Sequence, residues 1–373
     1  MRFYQRFVIL SFILFLFIFG IGTLLKEDQT FSKLENRSLQ TWPSFSWERL
    51  FSGVFVDEIE TYIQDQFLAK TTWLNLKGHS DRLLLKKEVN GIVFGDKGYL
   101  FDPLKEPGDQ FEKNIHYLNK FANNQDRTTY VMLAPTSVSI YPDKLPAFAP
   151  SYPLEDWYSN VNTNLNSDAQ LINMYPLLKE NREEKLYFRT DHHWTMRGAY
   201  YAYQSFAKTA ELDAYKLDDF KLEVATNEFY GSFYRKVVSN VIRSDRMEVF
   251  FPNFPIKYQR KIHDTGEVYD GLYDWEKLNS GNAYNFFIGG NQALTTIETT
   301  ANNNERIAVV KDSYAHAFIP FLANHYREIH VIDLRYFRQS LDMYLAQHEI
   351  NETIILYNTK NFAEDTHIIW LNS

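Results

Sequence analysis

Residues 306–334 read RIAVVKDSYAHAFIPFLANHYREIHVIDL. Ile307, Ala308, Val309 and Val310 form a short unbroken apolar run, the pattern of a strand buried on both faces. Lys311-Asp312-Ser313 then turns the chain into a helix over 314–326, with Ala315, Phe318, Ile319 and Leu322 on one side. A strand over 329–334, a helix over 337–348 and a strand over 353–357 follow. Upstream, a helix over 111–123 leads into a strand over 129–134 that stops at Pro135. Strands alternating with helices of this length predict βαβ units, a mostly parallel sheet and the α/β class. Further upstream, Phe55, Ile59, Tyr62, Ile63 and Phe67 recur at helical spacing, and a second helix is expected through Trp73, Leu76 and Arg82.

The same stretch carries chemistry. In an open α/β sheet, ligands gather at the carboxyl ends of strands, and Ser313 lies at one. The helix after it presents free N–H groups able to stabilise an oxyanion, with Tyr314 beside them. Helix capping by Asp312 or Ser313 explains the same residues without any reaction. A second stretch, residues 187–200, reads YFRTDHHWTMRGAY. In extended chain, residues two apart share a side, so Asp191 and His193 face one cleft while His192 points away. Thr195 is placed to cap a helix behind them, and Trp194 forms a wall. A carboxylate fixes the tautomer of a histidine and stabilises its protonated form, which suits general-base work. A structural cluster at a helix start is the plain alternative. In a third stretch, an apolar strand from Tyr284 runs into Gly289-Gly290-Asn291. Gly290 allows close backbone approach, and the Asn291 amide is a candidate oxyanion donor. Tyr141, in Tyr141-Pro142-Asp143-Lys144, is a candidate for the cleft edge or simply part of a turn.

Arg2 and Arg6 precede an apolar run of about 19 residues from Phe7 to Leu25, long enough to span a hydrocarbon core of ~30 Å. The charge order places the N-terminus inside and the body outside the cytoplasmic membrane. A cleaved signal peptide is the competing reading, but its apolar region is normally about 7–15 residues and is followed by a small-residue site. Three regions result: 1–27 as cytoplasmic N-terminus and transmembrane signal anchor, 28–90 as tether and helical segment, and 91–373 as the catalytic domain. The chain has no cysteine, which excludes disulfides, thiolate metal sites and a cysteine nucleophile. A formal net charge of −8 and the lack of a long basic block argue against nucleic acid as a partner. Aromatic residues make up 17%; exposed ones can stack on sugar rings, but most are expected in the core.

The Asp-His-His-Trp run at 191–194, the Lys-Asp-Ser-Tyr turn at 311–314, the Gly-Gly-Asn turn and Glu35-Asn36-Arg37 resemble the DHHW proteins of Gram-positive bacteria. Those are similar to the alginate-acetylation proteins, with Asp-x-His-Trp followed much later by a serine. The resemblance covers about residues 30–373. It implies an SGNH-hydrolase-like, flavodoxin-like three-layer α/β sandwich, preceded here by one transmembrane helix. It further implies Ser313 as nucleophile, His193 as base and Asp191 as orienting acid, with no cofactor and no metal. Two departures stand out. The Asp-x-His precedes the serine, an order the chemistry tolerates. Lys311 replaces the glycine usual before Asp-Ser and is expected to narrow the approach to Ser313.

The expected function is a membrane-anchored extracellular O-acyltransferase that moves acetyl onto a polysaccharide, with a membrane-bound O-acyltransferase as the partner donating the acyl group. A carbohydrate esterase uses the same triad. A non-catalytic polysaccharide-binding scaffold keeps the fold without the reaction. A metal-dependent hydrolase using Asp191, His192 and His193 is the fourth reading, with His316, His325 and His330 as distant ligands.

Overall fold

The computed structural model describes residues 2–32, 37–123, 127–239 and 241–373. Glu35 and Asn36 of the Glu-Asn-Arg segment lie outside the described residues. The chain forms two compact units. One comprises Met1–Lys86 with Val237–Val241 and Asn279–Asn282; the other comprises Lys87–Lys236, Ile242–Leu278 and Ala283–Ser373.

In the first unit, Arg2–Leu25 is a single helix. Its Phe3–Leu25 portion is long and apolar enough to cross a membrane, and a signal sequence has the same character. Val54–Gln66 and Lys70–Leu83 are the two helices expected from the apolar spacing. Phe19 of the first helix stacks on Phe67 and meets Trp73 edge-on. Leu68 donates its N–H to Thr23 Oγ1, so the end of the apolar helix is tied to the turn between the two later helices.

The second unit is built on an eight-stranded sheet. In chain order its strands are β1 (Thr128–Ala134), β2 (Ala169–Leu171), β3 (Tyr258–Ile262), β4 (Val268–Asp270), β5 (Leu294–Thr299), β6 (Arg306–Lys311), β7 (Glu328–Ile332) and β8 (Glu352–Asn358). The spatial order is β4-β3-β5-β7-β6-β8-β1-β2. Pairings from β7 through β2 are parallel; β4, β3 and β5 extend the sheet antiparallel. The sheet is therefore large and mostly parallel, in a mixed α/β unit. In β6, Ile307, Ala308, Val309 and Val310 have no solvent exposure, which is why this strand reads as a continuous apolar run.

Helix Ala315–Leu322 is shorter than the helix expected over 314–326. Pro320 lies inside it and withholds one N–H from its last turn. It packs on helix Met196–Thr209, with Tyr203 stacked on Phe321 and Phe206 edge-on to Phe318. The helix expected over 337–348 begins only at Leu341, where the Ser340 hydroxyl accepts the Met343 N–H as a cap.

One expected strand is absent. Ala283–Phe286 is a 3₁₀ turn, and Ile288, Gly289 and Gly290 all have positive φ (53°, 82° and 94°). Three left-handed residues in succession coil the chain, so Phe286 and Phe287 are buried as core plugs rather than strand residues.

Candidate active site

Ser313 follows β6 by two residues and sits in the turn before helix Ala315–Leu322. Asp312 fixes that turn. Its Oδ1 accepts the Tyr314 N–H, and its Oδ2 accepts from Asn358 N and Asn358 Nδ2 at the end of β8 and from Asn361 Nδ2 just beyond it. Burial raises the Asp312 carboxyl above its ordinary value, against the opposing pull of these donors. Asp312 is therefore a buttress and leaves Ser313 Oγ unspent for another partner.

That partner is His193. Its Nε2 lies 2.7 Å from Ser313 Oγ, and its Nδ1 lies 2.5 Å from Asp191 Oδ1. Asp191 also accepts the backbone N–H groups of His193 and Ser232. Burial would raise the Asp191 carboxyl, but His192, His193 and these hydrogen bonds hold it well below the usual carboxylate range. The three side chains form one continuous hydrogen-bonded line between residues 120 positions apart in sequence.

His192 departs from expectation. Residues 189–193 are a bend rather than an extended strand, so the alternation of sides does not hold. The His192 ring lies against that of His193, with centroids 3.7 Å apart, and its Nδ1 is 2.6 Å from Ser232 Oγ. Burial pushes His192 down to about 4, so it is neutral at physiological pH. The other face of His193 is covered by Tyr284, stacked at 3.6 Å with planes 7° apart.

Ligand atoms of Asp191, His192 and His193 lie within 4.8 Å of one another. A cation there would have to displace the bond from His193 to Ser313 or the bond to Asp191. The polar geometry fits proton transfer without such a displacement.

Lys311 does not narrow the approach to Ser313. Its side chain turns inward and is buried, where Nζ donates to Asn291 Oδ1 (2.7 Å) and Asp333 Oδ2 (3.1 Å) and lies 2.9 Å from His316 Nε2. Arg335 pairs with the same Asp333. Burial lowers the Lys311 ammonium while Asp333 works to keep it charged. An ammonium only donates, so this contact sets the orientation of the Asn291 amide and leaves its Nδ2 for another acceptor. Gly290 is required for the turn, because a Cβ there would lie 2.7 Å from Asn285 Cγ.

Trp194 is fully buried, and its Nε1 donates to the Tyr314 carbonyl, joining the two halves of the site. Tyr314 is also buried, and its hydroxyl donates to the His192 carbonyl. Tyr141 is placed elsewhere. It lies beneath Lys144, donates to the Arg182 carbonyl and accepts from Leu186 N.

Several participants escaped sequence reasoning. Gly231 is one, since a Cβ there would come within 2.1 Å of Asp191 Cβ. Only glycine lets the Ser232 N–H reach that carboxylate. Ser232 and Asp333 are others; the sequence marks Tyr284 only as the start of a strand and His316 only as a distant metal ligand. A glycine-serine pair far from the Asp-His motif carries no spacing signal; only the unexplained second histidine pointed toward further contacts.

A profile of the DHHW proteins matches residues 90–332. Among solved structures, a DHHW family protein from Eubacterium siraeum is 23% identical, with a TM-score of 0.67 over 76% of this chain and 96% of that one. Bacillus cereus PatB1 is 23% identical, with a TM-score of 0.63 over 74% of this chain and 98% of that one. Among curated proteins, the probable alginate O-acetylase AlgJ of Pseudomonas fluorescens is 25% identical over 173 residues, which is 43% of each chain. The match thus spans less than half of that relative. The two structural likenesses concern the fold, and the profile match covers more than half of this sequence: the chain belongs to the DHHW protein family.

Proposed function

We propose that this protein is an O-acyltransferase that moves an acetyl group onto hydroxyls of a cell-surface or secreted polysaccharide, through Ser313, His193 and Asp191 on an SGNH-hydrolase-like unit. The observation that carries the reading is the line Asp191 Oδ1–His193 Nδ1, His193 Nε2–Ser313 Oγ at the carboxyl edge of the parallel strands. The partial match to a protein named alginate O-acetylase supports acetyl and polysaccharide as the substrate classes.

In the first half-reaction His193 Nε2 takes the Ser313 proton as Oγ attacks the acyl carbonyl. Asp191 holds the imidazole with Nδ1 protonated and stabilises the imidazolium. The Asn291 Nδ2 receives the negative charge on the carbonyl oxygen. His193 then gives its proton to the departing donor, leaving acetyl-Ser313. In the second half-reaction His193 deprotonates a sugar hydroxyl, which attacks the ester and frees Ser313. We assign the donor role to a membrane-bound O-acyltransferase and the Arg2–Leu25 helix to a membrane anchor with the body outside.

The test uses an aryl acetate as donor. Wild-type protein is expected to release acetate and, with sugar present, to acetylate it. Ser313→Ala and His193→Ala are each expected to lose at least about 10³-fold. Unchanged polymer acetylation in cells carrying Ser313→Ala would overturn the reading in favour of a scaffold. A shielded-cell experiment, in which external protease leaves the body intact, would overturn the orientation.

A further inference from the structure

A cavity of about 330 Å³ is lined by residues next to the triad in sequence and is not used by the chemistry described above. Its walls include neighbours of both halves of the triad: His192 beside His193, and Tyr314 beside Ser313. Thr136, just after β1, and Asn361, just after β8, place it at the carboxyl edge of the sheet, where α/β proteins bind ligands.

The polar groups of this cavity have unspent capacity. His192 engages Ser232 through Nδ1, and its Nε2 has no hydrogen-bond partner among the described residues. Because the ring is neutral, Nε2 either donates or accepts according to tautomer, and a hydroxyl group satisfies both cases. Thr136 Oγ1 is buried with no partner. Asn361 gives its Nδ2 to Asp312, and its Oδ1 is left as an acceptor. Phe233, buried, contributes an apolar wall of the kind that packs on the C–H face of a sugar ring. The charges balance: Lys236 and Lys360 stand against Asp102 and Glu364, and Lys360 is paired with Asp102. A polyanion would need an excess of cations here; a neutral polyol does not. The volume is at the small end for ligand sites, roughly one sugar ring.

We infer that this cavity is the acceptor subsite, that it takes a neutral pyranose residue, and that His192 holds one of its hydroxyls beside His193. The inference rests on the acyl-transfer reading. In the transfer step the acceptor oxygen forms a bond to the acetyl carbon and the bond from that carbon to Ser313 Oγ breaks. The acceptor proton passes to His193 Nε2 and then to Ser313 Oγ. His192 acts as a positioning residue that selects sugar over water.

The experiment measures how acetyl-Ser313 divides between sugar and water. Full-length protein in detergent receives an aryl acetate with cellotetraose, chitotetraose or a tetra-uronate as acceptor. Acetylated sugar and free acetate come from one acyl-enzyme, so their ratio is independent of how fast that intermediate forms. The neutral sugars are expected to give a ratio at least tenfold above the uronate. Thr136→Val and Phe233→Ala are expected to lower it at least fivefold, through a higher KM for the sugar. An unchanged ratio in both variants, or preference for the uronate, overturns the subsite while leaving Ser313 chemistry standing. Absence of any Ser313-dependent acetate release overturns the transferase reading and the subsite with it. As a measurement independent of those variants, titrating Ser313→Ala protein with either neutral tetrasaccharide is expected to shift the ring ¹⁵N resonances of His192. No shift at saturating sugar overturns the subsite.

Discussion

Residues 2–86 expose what proteins usually bury, and the unit carrying the triad buries what proteins usually expose. In the first region Phe51, Leu83, Leu84 and Leu85 are mostly in solvent, as is the apolar face of Arg2–Leu25. In the second, Asp191, His193, Lys311, Asp312, His316 and Asp333 are all buried. Both departures are costly in water. The difference teaches what each region answers to. The exposed apolar side chains of Arg2–Leu25 belong to a helix with the length and character to cross a membrane, a character that a signal sequence shares. Buried charges are kept where hydrogen bonds from within the fold satisfy them and water cannot weaken them.

The sharpest test of the second half of that contrast is Asp191→Asn. It removes the charge and favours the wrong tautomer of His193, so acetate release is expected to fall about 10³- to 10⁴-fold with the melting temperature little changed. A loss below tenfold would mean that the buried carboxylate is structural. Next comes Lys311→Met, which leaves Asp333 with Arg335 as its remaining ion-pair partner. Urea denaturation is expected to show a loss of about 3 kcal/mol, and a neutral result would place the lysine outside the stabilising network.

Much of this was legible beforehand. The strand at 306–311 and the parallel run around it were readable because strands buried on both faces leave unbroken apolar runs. Asp191, His193 and Ser313 were readable because each sits at a strand or loop end before a helix. The strands Tyr258–Ile262 and Leu294–Thr299 were not, since these antiparallel strands mix polar with apolar residues and resemble loops. The inward turn of Lys311 depends on Asp333 and Asn291, about 20 residues away on either side, and no local pattern records it.

Gly231→Ala probes how tightly the polar interior is fitted. The added methyl meets Asp191, so acetate release is expected to fall about 10- to 100-fold with a stability cost of about 1–3 kcal/mol. Activity equal to wild type would show that the loop yields. Acid should act on the same region. Burial lowers His192 and His325 to about 4, His330 to about 3, and His316 well below its ordinary value. The unfolded chain takes up these protons below about pH 6.5 and the folded chain does not. Their contribution is full above that pH and is lost as pH falls toward 4; Asp312, raised by burial, opposes this with one proton. Urea midpoints are expected to drop steadily from pH 7 to pH 4.5, and a flat profile would contradict the buried neutral state. The smallest effect is expected at the exposed end of the contrast. Leu84→Ser should change stability by no more than about 0.5 kcal/mol, whereas Leu322→Ala in the core should cost about 2–5 kcal/mol. Equal losses would erase the distinction between the regions.

The His193 ring, pressed between Tyr284 and His192 and bonded at both nitrogens, has a kinetic consequence. An imidazole held on two faces cannot pivot to serve two alcohols in different places. On the acyl-transfer proposal, departing donor and arriving acceptor would use the same nitrogen, one after the other, as through a turnstile. Initial-rate lines at varied donor and acceptor are therefore expected to run parallel, and high donor concentrations to compete with the sugar.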